Sequence, residues 1–174
     1  KAMARVFPWL DQPFIQALIK ALGPDDMRFV GGAVRDSLIG RDIKDIDIAT
    51  RHLPGVAVEK LTSAGLKVIP TGLKHGTVTA VCPDSGESAE ITTLRIDIET
   101  DGRHAEVSFT DDWLEDAKRR DFTMNAIYLD DNGDLYDPFD GSVDVVDGRV
   151  RFIGNAAERI KEDALRMLRF FRFF

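Results

Sequence analysis

"FVGGAVRDSLIGRDIKDIDIAT", residues 29–50, combines glycine punctuation with a two-residue alternation. Gly31 and Gly32 interrupt an apolar run, Gly40 closes the amphipathic stretch "GAVRDSLIG", and "DIDIAT" then alternates carboxylates with isoleucines. An alternation of period two marks a strand with one face buried. The stretch therefore reads as strand, glycine turn, short helix and second strand. In that second strand Asp45 and Asp47 project together while Ile46 and Ile48 face a core.

Working outward, "WLDQPFIQALIKALGPDD" spaces Leu10, Phe14 and Leu18 at helical intervals, with Pro13 near the start and Gly23-Pro24 at the end. "MRFV" before the two glycines is a short buried strand, and residues 54–64 suit a helix with Pro54 at its first turn and Gly65 just past its end. "GTVTAV" and "AEITTLRI" suit an antiparallel hairpin across the polar turn "CPDSGES". "TDDWLEDAKRR" reads as a capped helix, and "AIYLDDNGDLYD" as two strands around Asn132-Gly133. "NAAERIKEDALRMLRFFRFF" is a long helix with Asn155 and Glu158 at capping-box spacing. Frequent hairpins without a strict βαβ repeat give an α+β class, a mixed or antiparallel sheet backed by helices.

A chain of 174 residues with 44% hydrophobic content can bury one sizeable core. The expected division is one compact unit over residues 1–150 and the start of a helical unit over 151–174. The single cysteine, Cys82, forms no internal disulfide, and no apolar run is long enough to span a bilayer. Both features favour a soluble, cytoplasmic protein with no membrane partner. A start at Lys1 and an end on "RMLRFFRFF" suggest a fragment of something longer. The net charge of −7 is uneven: residues 149–174 hold seven Lys/Arg against three Asp/Glu, which permits a basic surface beside an acidic pocket.

Two carboxylates converging from one strand suit a hard divalent cation such as Mg²⁺, which takes one or two protein carboxylates together with substrate phosphates. Gly31 and Gly32 allow close backbone approach to a ligand, and the following helix start offers N–H groups to an anion. The plain structural alternative is an edge strand whose aspartates deter aggregation beside an ordinary glycine turn. Other metal and phosphate motifs are missing. "DDNGDLYD" departs from a calcium loop, since the register from Asp130 puts Leu135 at its sixth position and Gly141 at its twelfth. His52, His75 and His104 are widely separated, without zinc spacing, and no Walker loop occurs.

The segment "GGAVRDSLIGRDIKDIDIAT", with Arg35 and Asp36 matched, resembles the signature of the head domain shared by tRNA nucleotidyltransferases and bacterial poly(A) polymerases, within the DNA polymerase β-like superfamily. Further resemblance follows in order: "TGLKHGTVTAV", "EITTLRID", "TDGRHAEVSFT", "RRDFTMNAIYLD", "YDPFDG" and "RIKEDALRMLRFFRF".

The resemblance implies a polymerase β-like head followed by a helical neck, with Asp45 and Asp47 as catalytic ligands of two Mg²⁺ ions. It implies nucleotide contacts from Gly31, Gly32 and Arg35, triphosphate contacts from Arg119 and Arg120, and positions for Asp121 and Asn125 near the sugar. Without it, Lys118 to Arg120 read equally as a solvated helix end. Glu90 is a candidate third catalytic carboxylate, and a surface-strand glutamate accounts for it as well.

On a helical wheel Glu162, Asp163 and Arg166 share an arc of about 100°. "EDALR" looks like the family's protein template for the incoming base, although an exposed salt bridge fits the spacing too. A carboxylate accepting from the exocyclic amine of cytosine or adenine, beside a donating guanidinium, rejects uracil and guanine. The implied reaction is addition of C and A from CTP and ATP to a tRNA 3′ end without a nucleic-acid template. Poly(A) polymerase, CC-only or A-only enzymes and a non-catalytic binding fragment are the alternatives.

Overall fold

Pro13 opens the first long helix, α1 (Pro13–Leu22), at a position where its missing N–H costs no hydrogen bond. This computed structural model describes residues 6–99 and 105–154. After α1 come β1 (Met27–Val30), α2 (Gly32–Leu38), β2 (Ile46–Thr50), α3 (Pro54–Ser63), β3 (Lys67–Gly72), β4 (Thr77–Val81) and β5 (Ser88–Thr93). The chain continues through β6 (Arg95–Glu99), β7 (Ala105–Phe109), α4 (Trp113–Lys118), β8 (Tyr128–Leu129), β9 (Leu135–Tyr136) and α5 (Gly141–Asp147).

Seven strands form one mixed sheet in the order β3-β4-β5-β2-β1-β8-β9, while β6 and β7 make a separate hairpin. β2 and β5 run parallel, and the other neighbours in the sheet pair antiparallel. Side chains alternate between two apolar layers. Phe29, Ile48, Ile91 and Leu129 pack with Leu18, Leu22 and Val34 from α1 and α2 and with Leu61 from α3. Val30, Ala49 and Tyr128 point the other way and pack with Trp113 and Ala117 of α4. Apolar burial on both faces is the main stabilising term, about 1.5–3 kcal/mol for each fully buried large side chain.

The sequence reading anticipates α1, β1, α2, β2, α3, the β4–β5 and β8–β9 hairpins and α4, and the mixed α+β sheet agrees with it. Three details differ. Asp45 precedes β2 instead of lying in it, and Ile46 is only partly buried, because pairing with β1 and β5 begins no earlier than Ile46. "AEITTLRI" is two strands: the chain leaves the sheet at Leu94, whose N–H donates to the carbonyl of Thr50, and β6 then pairs with β7. β3, β7 and α5 were not anticipated. β3 contains Pro70, tolerated because the strand lies at the sheet edge, and α5 exposes Val143 and Val146 instead of presenting a continuous apolar stripe. The helix expected over 155–174 lies outside the described residues.

α5 is pinned by Asp137, whose carboxylate accepts from the N–H groups of Gly141 and Ser142. Gly141 sits so tightly on the backbone of Thr123 that an added Cβ would stand 2.0 Å from the Thr123 carbonyl oxygen. A backbone obstacle has no rotamer to change. Gly141→Ala is therefore expected to lower unfolding stability by about 3 kcal/mol. Gly55→Ala, with nothing within 4 Å of its added methyl, should change stability by no more than about 0.5 kcal/mol. Urea midpoints of the two variants check the contrast, and equal midpoints would refute the backbone contact.

Candidate active site

A single row of side chains crosses the sheet on the face covered by α4. Register pairs Tyr136 with Tyr128, Tyr128 with Val30, Val30 with Asp47, Asp47 with Glu90, and Glu90 with Thr79. Directly paired residues share a face, so Asp47 and Glu90 stand side by side on parallel neighbours. Asp45, Asp47, Thr79, Ser88 and Glu90 line one cavity of about 290 Å³. Gly31, at φ 82°, turns the chain from β1 into α2 directly above this group: a Cβ there would lie 3.4 Å from Asp47 Oδ2.

The carboxylates disfavour one another. Burial, the neighbouring charge of Glu90 and a hydrogen bond with it push the Asp47 carboxyl up to about 6, with Asp45 adding to the effect and Arg120 opposing it. A cation beside such a pair would relieve their mutual repulsion. Among the described residues, no three His, Cys, Asp or Glu side chains are grouped closely enough to hold a metal ion by themselves. A hard cation here needs further oxygen ligands, and the phosphates of a nucleotide are suitable ones.

A second group forms around "RRDFTMNA". Arg35 Nη1 on α2 donates to Asn125 Oδ1 at 2.8 Å, and Arg35 Nε donates to Asp36 Oδ1 at 3.0 Å. Asn125 Nδ2 then donates to Asp121 Oδ1 at 3.2 Å, and that oxygen also accepts the Phe122 N–H at 2.7 Å. Asp121 and Asn125 are buried. An ideal Cβ on Gly32 would lie 3.4 Å from Arg35 Nη2, so Gly32 leaves room for that guanidinium.

The third group lies where α4 ends. Arg119 Nε and Arg120 Nη2 donate to opposite oxygens of Asp116, at 3.2 and 3.1 Å, and Tyr128 hydroxyl donates to Asp116 Oδ2 at 2.6 Å. Arg120 Nε in turn donates to the Tyr128 oxygen at 3.1 Å. Arg120 is close enough to favour ionisation of Asp47, which connects this group with the carboxylate row.

The structure thus brings Asp45, Asp47 and Glu90 into one cavity, sets Gly31 over Asp47, and joins Gly32, Arg35, Asn125 and Asp121 beside it. Arg119 and Arg120 are anchored ends of α4, not a solvated helix tip. Glu162, Asp163 and Arg166 lie outside the described residues. Asp116 and Tyr128 were missed by the sequence reading. The i,i+3 and i,i+4 spacing of Asp116 to Arg119 and Arg120 was a usable signal for the first.

Residues 27–151, which contain all three groups, match the family model described as "Poly A polymerase head domain". The chain belongs to that family. This head domain is 52% identical over 150 residues to the Homo sapiens "CCA tRNA nucleotidyltransferase 1, mitochondrial", covering 86% of this chain and 34% of the relative. It resembles the solved Bacillus stearothermophilus CCA-adding enzyme in complex with CTP at TM-score 0.75 and 40% identity, over 91% of this chain and 38% of that one. It also resembles a tRNA nucleotidyltransferase complexed with a primer tRNA and an incoming ATP analogue, at TM-score 0.65 and 30% identity, over 85% of this chain and 41% of that one. The chain spans about a third of the length of the curated relatives it matches first.

Asp47 gives this domain a pH signature. Its folded-state value of about 6 lies above the 3.8 of a free side chain, so its contribution to stability is present at low pH and lost as pH rises through 6. Asp47→Asn should raise the unfolding free energy of the metal-free domain by roughly 2 kcal/mol at pH 7.5. The gain should vanish below about pH 4. Chemical denaturation across this range measures the difference, and a pH-independent gain would contradict the electrostatic origin.

Proposed function

We propose that this head transfers nucleotides, and that as part of a longer enzyme it adds C and A to the 3′ end of tRNA from CTP and ATP with release of pyrophosphate. The observation that carries the reading is the Asp47–Glu90 pair, with Asp45 on the same cavity and Arg120 within electrostatic reach of Asp47. Relatives named for CCA addition support the choice of product. The reading calls for a compartment that holds tRNA and nucleoside triphosphates, as the cytoplasm and mitochondria both do. No helix among the described residues is long and apolar enough to cross a membrane.

In this reading Asp45 and Asp47 hold Mg²⁺, two ions with substrate bound, which would supply activation of the attacking hydroxyl and neutralisation of the leaving phosphates. The mutually repelling carboxylates fit that role. The RNA 3′ oxygen attacks the α-phosphorus, the bond to the bridging oxygen breaks, and pyrophosphate departs. In this reading Glu90 accepts the hydroxyl proton, a role its register with Asp47 supports. Arg119 and Arg120 meet the triphosphate, and planar guanidinium forks suit its oxygens. Arg35, Asn125 and Asp121 shape the sugar end of the pocket beneath Gly31 and Gly32. Glu162, Asp163 and Arg166, outside the described residues, select cytosine and adenine in this reading.

Full-length protein given tRNA lacking its terminal CCA, with each nucleoside triphosphate alone and all together, tests this by sequencing of the 3′ ends. Addition is expected to stop at CCA. Long A-tracts would instead identify a poly(A) polymerase, and CC or A alone a partial enzyme. Asp47→Ala should abolish transfer while retaining the wild-type circular dichroism spectrum. Transfer surviving in that variant would remove Asp47 from the reaction.

A further inference from the structure

We propose that Asp116 is the positioning residue of the nucleotide pocket, a buried carboxylate that presets Arg119 and Arg120 for the phosphates of the incoming nucleoside triphosphate. The proposal rests on the transfer reading above, and it identifies how the anion side of that site is held open.

Asp116 is 1% exposed on α4 and accepts from four donors. Besides Arg119, Arg120 and Tyr128, the backbone N–H of Arg95 donates to its Oδ1 at 3.1 Å. Burial opposes its charge, but Arg120, Arg119 and these hydrogen bonds outweigh burial and hold the carboxyl below the usual aspartate range. It is therefore an anion at every pH at which a transferase works.

Asp116 shares a crowded set of cations with Asp97. Arg95 lies close enough to Arg119 and Arg120 for their charges to lower its own basicity after burial has done so. Its Nη1 donates to the His75 carbonyl, while its buried Nε has no hydrogen-bond partner. Asp97 and Asp116 offset part of the repulsion that Arg119 and Arg120 exert on Arg95, and an anion entering beside the three guanidinium groups relieves more of it. Arg119 engages Asp116 through Nε, and its side chain keeps 14% exposure, so its paired terminal nitrogens remain for a second acceptor.

The need for such a restraint comes from the other side of the pocket. Asp47, paired with Glu90, is a carboxylate within electrostatic reach of Arg120. An arginine without a fixed partner would fold onto that pair, and the metal ligands and the phosphate ligands would cancel each other. Asp116 and Tyr128 hold Arg120 by two separate nitrogens and prevent that collapse. This makes Asp116 a residue that acts through others, without touching substrate.

The test uses full-length enzyme, with inorganic tripolyphosphate as the probe of the anion site. Asp116→Asn keeps the shape of the side chain and removes its charge. KM for both CTP and ATP should rise about tenfold or more while kcat stays within about threefold, the pattern of lost ground-state positioning. Competitive inhibition by tripolyphosphate should weaken in parallel. Tyr128→Phe, which removes one tether of Arg120 and keeps the carboxylate, should shift both quantities in the same direction by a smaller factor. Thermal unfolding reports whether each variant is folded, and Tyr128→Phe decides the matter if Asp116→Asn is not. Unchanged KM and tripolyphosphate inhibition in a folded variant, or a loss confined to kcat, would overturn the proposal. Calorimetric binding of tripolyphosphate by wild type and variant judges Asp116 even if no nucleotide transfer is found, so failure of the transfer reading is separately visible.

Discussion

The parallel pairing of β2 with β5 is the constraint on which the site depends. It sets Asp47 opposite Glu90 in a sheet whose other neighbours are antiparallel, and it does so against electrostatics. Two adjacent carboxylates resist ionisation together, and apolar packing above and below the strands holds them in place. The cavity, the glycine turn above Asp47 and the arginines at the end of α4 are all arranged around that pair. A shift of one residue in β5 would turn Glu90 to the opposite apolar layer.

Asp47 and Asp116 make an instructive pair, because both are withdrawn from water on the same side of the sheet and their acidities move in opposite directions. Asp47 has carboxylates for neighbours and is raised; Asp116 has guanidiniums and a phenol and is lowered. Burial penalises the charge of each, so the difference comes from the partners alone. One acid is left in deficit of positive charge and the other is saturated with it. The proposed binding of both a cation and a polyanion would use that separation, and Arg120, which acts on both acids, lies between the two.

The sequence was most readable where backbone punctuation and alternation coincide. Gly31-Gly32, "DIDIAT" and Asn132-Gly133 are local signals, and the turns and strands they announce are present. What escaped was set by distant pairing. Glu90 was a candidate by resemblance alone, and its place beside Asp47 comes from the register with β2. Tyr128 reads as one more apolar strand residue until its hydroxyl meets an aspartate twelve positions back on a helix. β3 was hidden by Pro70 and by an edge position that relaxes the usual alternation, and α5 by a surface without an apolar stripe. Resemblance placed Arg119 and Arg120 near phosphate, but their tether to Asp116 comes from three-dimensional packing.

The contact between Gly141 and Thr123 has a mechanical meaning. Main chain rests on main chain there, and the Thr123 hydroxyl and Arg151 both bind the buried carboxylate of Asp144 at the end of the same small unit. The turn carrying Asp121 and Asn125 and the helix α5 consequently behave as a single block, tied through Arg35 to the helix beneath the glycine turn. A displacement of one part of this block carries the rest with it, because a backbone contact has no rotamer through which to yield.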